Sequence, residues 1–535
     1  MRKPLFIIHF SFFILLLAAC SRHPSVPSSY TQVNGEPKIW PDYTDVTVPP
    51  NIAPLNFLVD SVENVVAQIT PPKGEPVAYG GKDGKVQIDE EEWHKMLEGA
   101  KGGSLSVTVY TKKDGRWLAY KPFAIHVAED DIDPYISYRV LPPTFVGFDE
   151  LSIRQRNLTN FDETIIYDNR QISEGIEGQC INCHSYQNYS TSNMMFHTRL
   201  QHPGTMIVCD GELIFVNLKT KDMISAAAYN NWHPSLPIIA FSTDHTMQSF
   251  HTRDVTKVEV MESASDIIIY DVKQNRVQTV LCDSAEFELF PSWSPDGKWL
   301  YYCSAHYEYK GKYEDTDELL EKYKTLQYNL YRLSFDASTM TFGEPELVYD
   351  AVSRNRSAVQ PRVSQDGRYV VFAEGPWGLF HIWHTSADIQ MLDLNAIDHS
   401  PLTIDHSATP NDSAAIDHSS TQMNLAASNN GQWSMVNGQC VNSPLPESYP
   451  SFSSNDRWVM FESRRDDGNY TRTYFAYFDR QGRLHKPFEV PAEDPEYFRL
   501  LLRSWSRPEF MKEPVRTTPK QFYEKALTEP IKVSN

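Results

Sequence analysis

The 535-residue chain predicts an all-β protein, on three observations. Aromatic residues make up 12% of it and proline reaches 35, while long runs of helical periodicity are scarce. Short β-branched and aromatic runs alternate with turn residues along most of the sequence. In the second half a strand–turn–strand unit recurs, which marks a repeat architecture. The length exceeds one ordinary domain, and 41% hydrophobic residues can fill large cores. A net charge of −20 argues against nucleic acid and anionic lipid surfaces as partners.

Met1-Arg2-Lys3 followed by the largely apolar run Leu5 to Leu17 reads as a secretory signal, since thirteen positions are too few to span a bilayer. Leu17-Ala18-Ala19-Cys20 closes it and resembles the lipobox of bacterial lipoproteins. By that resemblance residues 1–19 are removed and Cys20 becomes a lipidated N-terminus, the only membrane contact expected; ordinary soluble export is the alternative. Ser21-Arg22-His23 lacks the Asp that retains such proteins at the inner membrane, so the expected address is the cell envelope, on the periplasmic face of the outer membrane. Residues 21–50, rich in Ser, Pro and Tyr, read as a linker.

Residues 51–130 carry β runs at Asn64 to Ile69, Ser104 to Thr111 and Trp117 to Val127. Lys112-Lys113-Asp114-Gly115-Arg116 joins the last two as a hairpin, because Asp-Gly suits positive φ in a tight turn. Asp89 to Gly99 predicts one short helix. An immunoglobulin-like β-sandwich accounts for this segment. Residues 131–184 read as a connector that ends in the most informative motif of the chain.

That motif is Cys180-Ile181-Asn182-Cys183-His184, the CxxCH attachment signature of c-type haem. Two thiols at this spacing can bond the two vinyl groups of one haem edge, and the next residue, His184, supplies the proximal iron ligand. A thioredoxin-like dithiol needs a βαβ setting, and a zinc ribbon needs a second Cys/His pair; neither surrounds this pentamer. Export agrees with it, since haem is attached outside the cytoplasm. Cys209, Cys282, Cys303 and Cys440 remain; Cys282 with Cys303 is a candidate disulfide, and buried free thiols are the alternative.

Residues 185–515 contain the repeat. Pro291-Ser292-Trp293-Ser294-Pro295-Asp296-Gly297-Lys298-Trp299 is its fullest copy, matched from Pro361 to Phe372 and from Pro450 to Phe461, with a contracted copy at Pro234 to Phe241. Ser and Asp side chains bond the turn backbone and Gly takes the left-handed position. In the copy at 450, Asn455-Asp456 stands where Asp-Gly is expected. The motif resembles the TolB-like, WD40-like (PD40) propeller repeat. That resemblance implies a β-propeller of five to seven blades, ending in a short tail at 516–535. Wide spacing between copies implies insertions, one helical around Asp317 to Lys324 and one polar loop at 396–440. Three Asp-His pairs in that loop (398–399, 405–406, 417–418) read as a duplicated surface segment rather than a metal site. Setting His184-Ser185-Tyr186 against Pro450-Ser451-Phe452 places the haem pentamer at the start of a blade, near the small β domain.

For the distal iron ligand, Met195 is the first candidate, with Met194 or His197 as alternatives, since Met is common there and raises the potential. Adjacent strand residues point to opposite faces, so Met194 and Met195 cannot both serve, and core packing is the competing role for each. Five-coordinate iron is a further alternative. The leading function is a lipid-anchored periplasmic protein with one covalent haem c that exchanges electrons with periplasmic redox or cell-envelope proteins. The alternative is a TolB-like binding or assembly module for a protein or glycan partner, whose haem is structural or sensory. An enzyme is the weakest reading: no GxSxG or HExxH occurs, and His126, His233 and His251 are isolated.

Overall fold

The computed structural model of the chain describes residues 23–142, 150–172, 178–251, 253–254, 256, 258–307, 317–396, 434–435 and 441–534. Cys20, Cys440 and the Asp-His pairs lie outside them. Two compact units form: one from residues up to Ile132 with 157–162 and 486–501, the other from 133–156, 163–485 and 502–535.

In the first unit Asn64–Thr70 pairs antiparallel with Val77–Gly81 on one side and Ser104–Lys113 on the other. The edge beyond is split: Arg116–Ala119 and Phe123–Val127 both pair with Ser104–Lys113. The single run expected from Trp117 to Val127 therefore breaks at 120–122. The hairpin turn is the predicted one, with Asp114 at φ 50° and Gly115 at φ 75°. Thr31–Gln32 and Val46–Val48 extend this sheet in parallel, so part of the expected linker is strand. A two-stranded sheet, Phe57–Leu58 with Lys85–Val86, and the helix Glu90–Ala100 complete the unit. The Asp89 carboxylate caps that helix, accepting from the Glu92 amide at 3.0 Å. Trp93 anchors it in the core by donating its indole N–H to the Ile52 carbonyl at 3.0 Å.

The second unit is a β-propeller in which six blades are described. Blades two to six follow the chain, with first strands Gln179–Gln187, Ala227–Trp232, Glu286–Trp293, Ser357–Val363 and Glu447–Phe452. Blade one is made from both ends of the unit. Its sheet runs Ser504–Met511, Tyr135–Leu141, Ser152–Asn157, Glu163–Asp168, so the last long strand of the chain closes the ring against the earliest ones. The stretch expected to be a connector is thus three strands of a blade. No Ser-x-Asp-Gly turn marks it, and its partner strand lies more than 350 residues away, which hides it from local pattern.

The tail is also structural. Thr518 caps the helix Pro519–Ala526 in a reciprocal capping box with Gln521. Phe522 of that helix packs on Phe196 of blade two and Tyr167 of blade one, ring centroids 5.1 and 6.5 Å away. Ile531–Lys532 then adds to the edge of blade two.

The repeat turns follow the predicted chemistry. Ser294 Oγ donates to Asp296 at 2.6 Å and accepts from the Trp299 amide at 3.0 Å, and Ser364 with Asp366 and Tyr369 repeats this at 2.6 and 2.8 Å. Gly297 and Gly367 sit at φ 70° and 71°. In blade six Asn455 takes the Asp role and Asp456 adopts the Gly conformation at φ 59°. The Asp456 carboxylate compensates by accepting from the Gln365 and Asp366 amides of blade five at 2.6 and 2.8 Å. The contracted copy shifts by four residues from its expected alignment: Trp232 matches Trp293, so Asn230, not Pro234, matches Pro291.

Cys209, Cys282 and Cys303 are free thiols. Cys303 is buried in the core between blades four and five while Cys282 is exposed, so they do not pair. Among the described residues no helix is long and apolar enough to cross a membrane.

Phe522 is 0% exposed, and burial of a whole aromatic ring predicts a loss of about 3–5 kcal/mol for Phe522→Ala. Chemical denaturation of this variant beside Lys520→Ala, on the solvent face of the same helix, checks it. Equal stability of the two variants would remove the tail from the fold's energetics.

Candidate functional site

The first strand of every blade contains the same irregularity. Its register against the second strand slips by a β-bulge, and one residue within the bulge has positive φ. These residues are Arg507, Cys183, Tyr229, Phe290, Gln360 and Tyr449, with φ between 46° and 60°. None is glycine, so each conformation costs on the order of 1–3 kcal/mol and must be held by its surroundings. All six line one cavity of about 860 Å³ where the first strands meet. The residue after each is His184, Asn230, Pro291, Pro361, Pro450 or Pro508. The alignment of His184 with Pro450 read from the sequence is the one the bulges show.

Cys180 and Cys183 both reach this cavity. Burial pushes the Cys180 thiol above its ordinary pKa, against the pull of Arg139 and Arg199. The Cys183 bulge is clamped by blade three: Asn230 donates its amide to the Cys183 carbonyl and accepts from the Ser185 hydroxyl. Asn182 helps from within the bulge, accepting from the Cys183 amide at 2.9 Å and from Arg139 at 2.5 Å. Neither Asn230 nor Arg139 carries any local sequence signal; only the corrected alignment of blade three puts Asn230 at a bulge position.

His184 follows Cys183 but is fully buried behind the cavity wall. Neither ring nitrogen makes a well-formed hydrogen bond among the described residues. Burial, reinforced by Arg507 and Arg139, lowers its pKa to about 3. The imidazole is neutral at any ordinary pH.

The three distal candidates are not brought to the cavity. Met194 and Met195 point to opposite faces of Ser190–Leu200, as the strand period requires, and each enters a separate core. Met195 packs with Ile207 and Phe241 between blades two and three. His197 is buried on that same side, its Nδ1 2.9 Å from the Thr205 hydroxyl and its ring beside Phe241. The core-packing role weighed for both methionines is the one the fold gives them. Among the described residues no three His, Cys, Asp or Glu side chains are grouped to hold a metal ion.

Blades three and four bury a row of carboxyl groups, Asp244, Glu262, Asp266 and Glu288. Sequence gave no hint of it, because each lies singly on a strand. Glu262 accepts from the Tyr328 hydroxyl at 2.7 Å, and one oxygen each of Glu262 and Glu288 lacks a partner. Burial raises all four pKa values, aided for Glu288 by Asp266 and Glu286, which carry it to about 9.

The chain is similar in arrangement to several solved β-rich structures, at low identity. Over 73% of this chain and 33% of the other, the tricorn protease matches with 10% identity and a TM-score of 0.33. A luciferin-regenerating enzyme matches over 66% and 90%, with 10% identity and a TM-score of 0.34. A cobalt-substituted ACO from Synechocystis matches over 87% and 98%, with 12% identity and a TM-score of 0.34. The chain thus spans about a third of the length of the tricorn protease. No known family matches the sequence. No curated protein matches it.

Glu288 supplies a test of the buried acid row. Its folded pKa of about 9 stands well above the ordinary carboxylate range, so its contribution is full below the unfolded value and is lost as pH rises through 9. Urea denaturation between pH 5 and 9 should show a steeper fall for the native chain than for Glu288→Gln, by up to about 1.4 kcal/mol per pH unit. Parallel profiles would mean that Glu288 is ionised in the folded protein.

Proposed function

We propose that the propeller carries one haem c in its central cavity, bonded through Cys180 and Cys183, and that the protein transfers electrons. One observation carries this reading: both thiols of the CxxCH segment reach the same cavity, on a strand whose bulge is fixed from two sides. The residues present fit the group. The thiols share one cavity, arginines for its carboxylates line the same wall, and the His184 ring nitrogens make no well-formed hydrogen bond. A ligating imidazole must be neutral, and burial keeps this one so.

In such a site Cys180 and Cys183 would hold the group and His184, which lies behind the cavity wall in this structure, would have to turn inward to serve as the iron ligand, while the haem would supply a one-electron couple. The chain's own part is to fix the thiols and limit water. Asn230 and Asn182 hold the Cys183 backbone, and Phe290, Tyr229 and Tyr449 supply aromatic wall. Arg139 and Arg507 place positive charge beside the iron ligand, which disfavours the oxidised state and raises the potential. No distal ligand is assigned, because the methionines are committed to packing.

The lipid anchor at Cys20 and the envelope address complete the reading and rest on the N-terminal sequence alone. Redox proteins of the periplasm or cell envelope are the expected partners.

Protein from a host that matures c-type cytochromes should carry one haem that survives denaturation and acid–acetone extraction, with a reversible couple in a potential titration. Cys180→Ala should leave at most a single bond and Cys180→Ala/Cys183→Ala none, as read from intact mass. Colourless protein, or pigment lost on denaturation, ends this proposal.

A further inference from the structure

Five arginines and one carboxylate line the central cavity: Arg139, Arg199, Arg362, Arg464, Arg507 and Glu509. Two of the arginines meet the carboxylate, and a third bonds only backbone carbonyls. Arg362 pairs with Glu509 at 2.5 Å, and Arg507 lies 3.9 Å from the same carboxylate. Arg464 donates to the carbonyls of Ile382 and Asn469 at 3.2 and 2.8 Å, and its buried Nε has no partner among the described residues.

The other two, Arg139 and Arg199, stand beside the CxxC strand and meet no carboxylate at ion-pair distance among the described residues. Arg139 reaches only neutral acceptors, the Ile181 carbonyl at 3.2 Å and Asn182 Oδ1 at 2.5 Å, and its buried Nε has no partner. Arg199 makes no ion pair or side-chain hydrogen bond among the described residues. Two buried acids lie near enough to feel these charges, Glu462 toward Arg139 and Asp244 toward Arg199. Neither is within ion-pair reach, and burial favours the neutral form of both. Desolvating a cation without a counter-charge costs several kcal/mol. Two such cations beside Arg507 repel one another as well. An anion in the cavity would resolve all of these costs.

The placement of the pair is specific. Arg199 is the cross-strand partner of Cys180, and Arg139 bonds the segment between the two cysteines. The guanidinium forks therefore flank the CxxC wall, and a guanidinium fork matches a carboxylate in bidentate geometry.

We propose that Arg139 and Arg199 form a binding site for the carboxylate groups of an anionic ligand in the central cavity. Two sources share that chemistry: the propionate side chains of a haem held at Cys180 and Cys183, which rests on the reading above, and a free polycarboxylic acid, which does not.

Two measurements separate them. Haem-free protein, made in a host without the attachment machinery, is titrated with citrate by calorimetry at low salt, beside Arg139→Gln/Arg199→Gln with a matching thermal melt. Haem-bearing protein is titrated for midpoint potential, beside Arg139→Gln, Arg199→Gln and the charge-retaining Arg199→Lys. Citrate binding that weakens at least tenfold in the double variant supports the site with a free acid as its ligand. Failing that, a lower potential in the Gln variants that Arg199→Lys restores supports the site with propionates as its ligand. If citrate does not bind and the potentials are unmoved, the site does not exist. If no haem is attached at all, the haem proposal fails alone and the calorimetry still decides this one.

Discussion

The propeller is organised by a single backbone device, a bulge on the first strand of each blade that turns one side chain to the middle. Positive φ at a non-glycine residue is expensive, and here it recurs in six blades. The expense is tolerable because the blades hold one another's bulges. Gln360 of blade five accepts from the Ser448 hydroxyl and the Tyr449 amide of blade six at 2.8 and 2.9 Å. Asn231 of blade three accepts from the Trp293 amide of blade four at 2.8 Å, and Asn230 clamps blade two. The cavity wall is therefore set by contacts between blades rather than within them.

Such a wall exists only if the ring closes. Closure comes from Ser504–Met511, which brings the chain's end to strands laid down near residue 140. The following helix and short strand then tie blade one to blade two through Phe522 and Ile531–Lys532. The CxxCH strand belongs to blade two, so the segment expected as a loose tail supports the site directly.

What the sequence made legible is whatever repeats locally. The all-β class, the Asp-Gly hairpin, the helix after Asp89 and the Ser-x-Asp-Gly turns each rest on interactions within about five residues. The cysteine pair was legible for the same reason. The misreadings follow from the converse. Blade one joins strands far apart in sequence and lacks the turn unit. Pro234 drew the contracted repeat out of register because it sits in a turn, like Pro295, while the bulge position holds Asn230. Met194 and Met195 follow the histidine closely in sequence, but a strand carries them away into two separate cores. Arg139 and Arg199 carry no pattern at all, since their meaning arises only where six blades converge, and the buried acids lie singly on strands of blades three and four.

The bulge also explains how a reactive pentamer can occupy a propeller strand without dismantling it. In four blades the residue after the positive-φ position is proline, which cannot donate a ladder hydrogen bond. That position is therefore free of pairing duty, and a blade accepts another residue there if something else fixes the bulge. Blade two uses the freedom for His184 and blade three for Asn230. The two substitutions are coupled, because Asn230 supplies to the Cys183 carbonyl and Ser185 hydroxyl the restraint that a proline ring would otherwise give. The ring nitrogens of His184 make no well-formed hydrogen bond, and burial holds the imidazole neutral. Both are properties that a metal-binding imidazole needs and that a packed core seldom leaves to one.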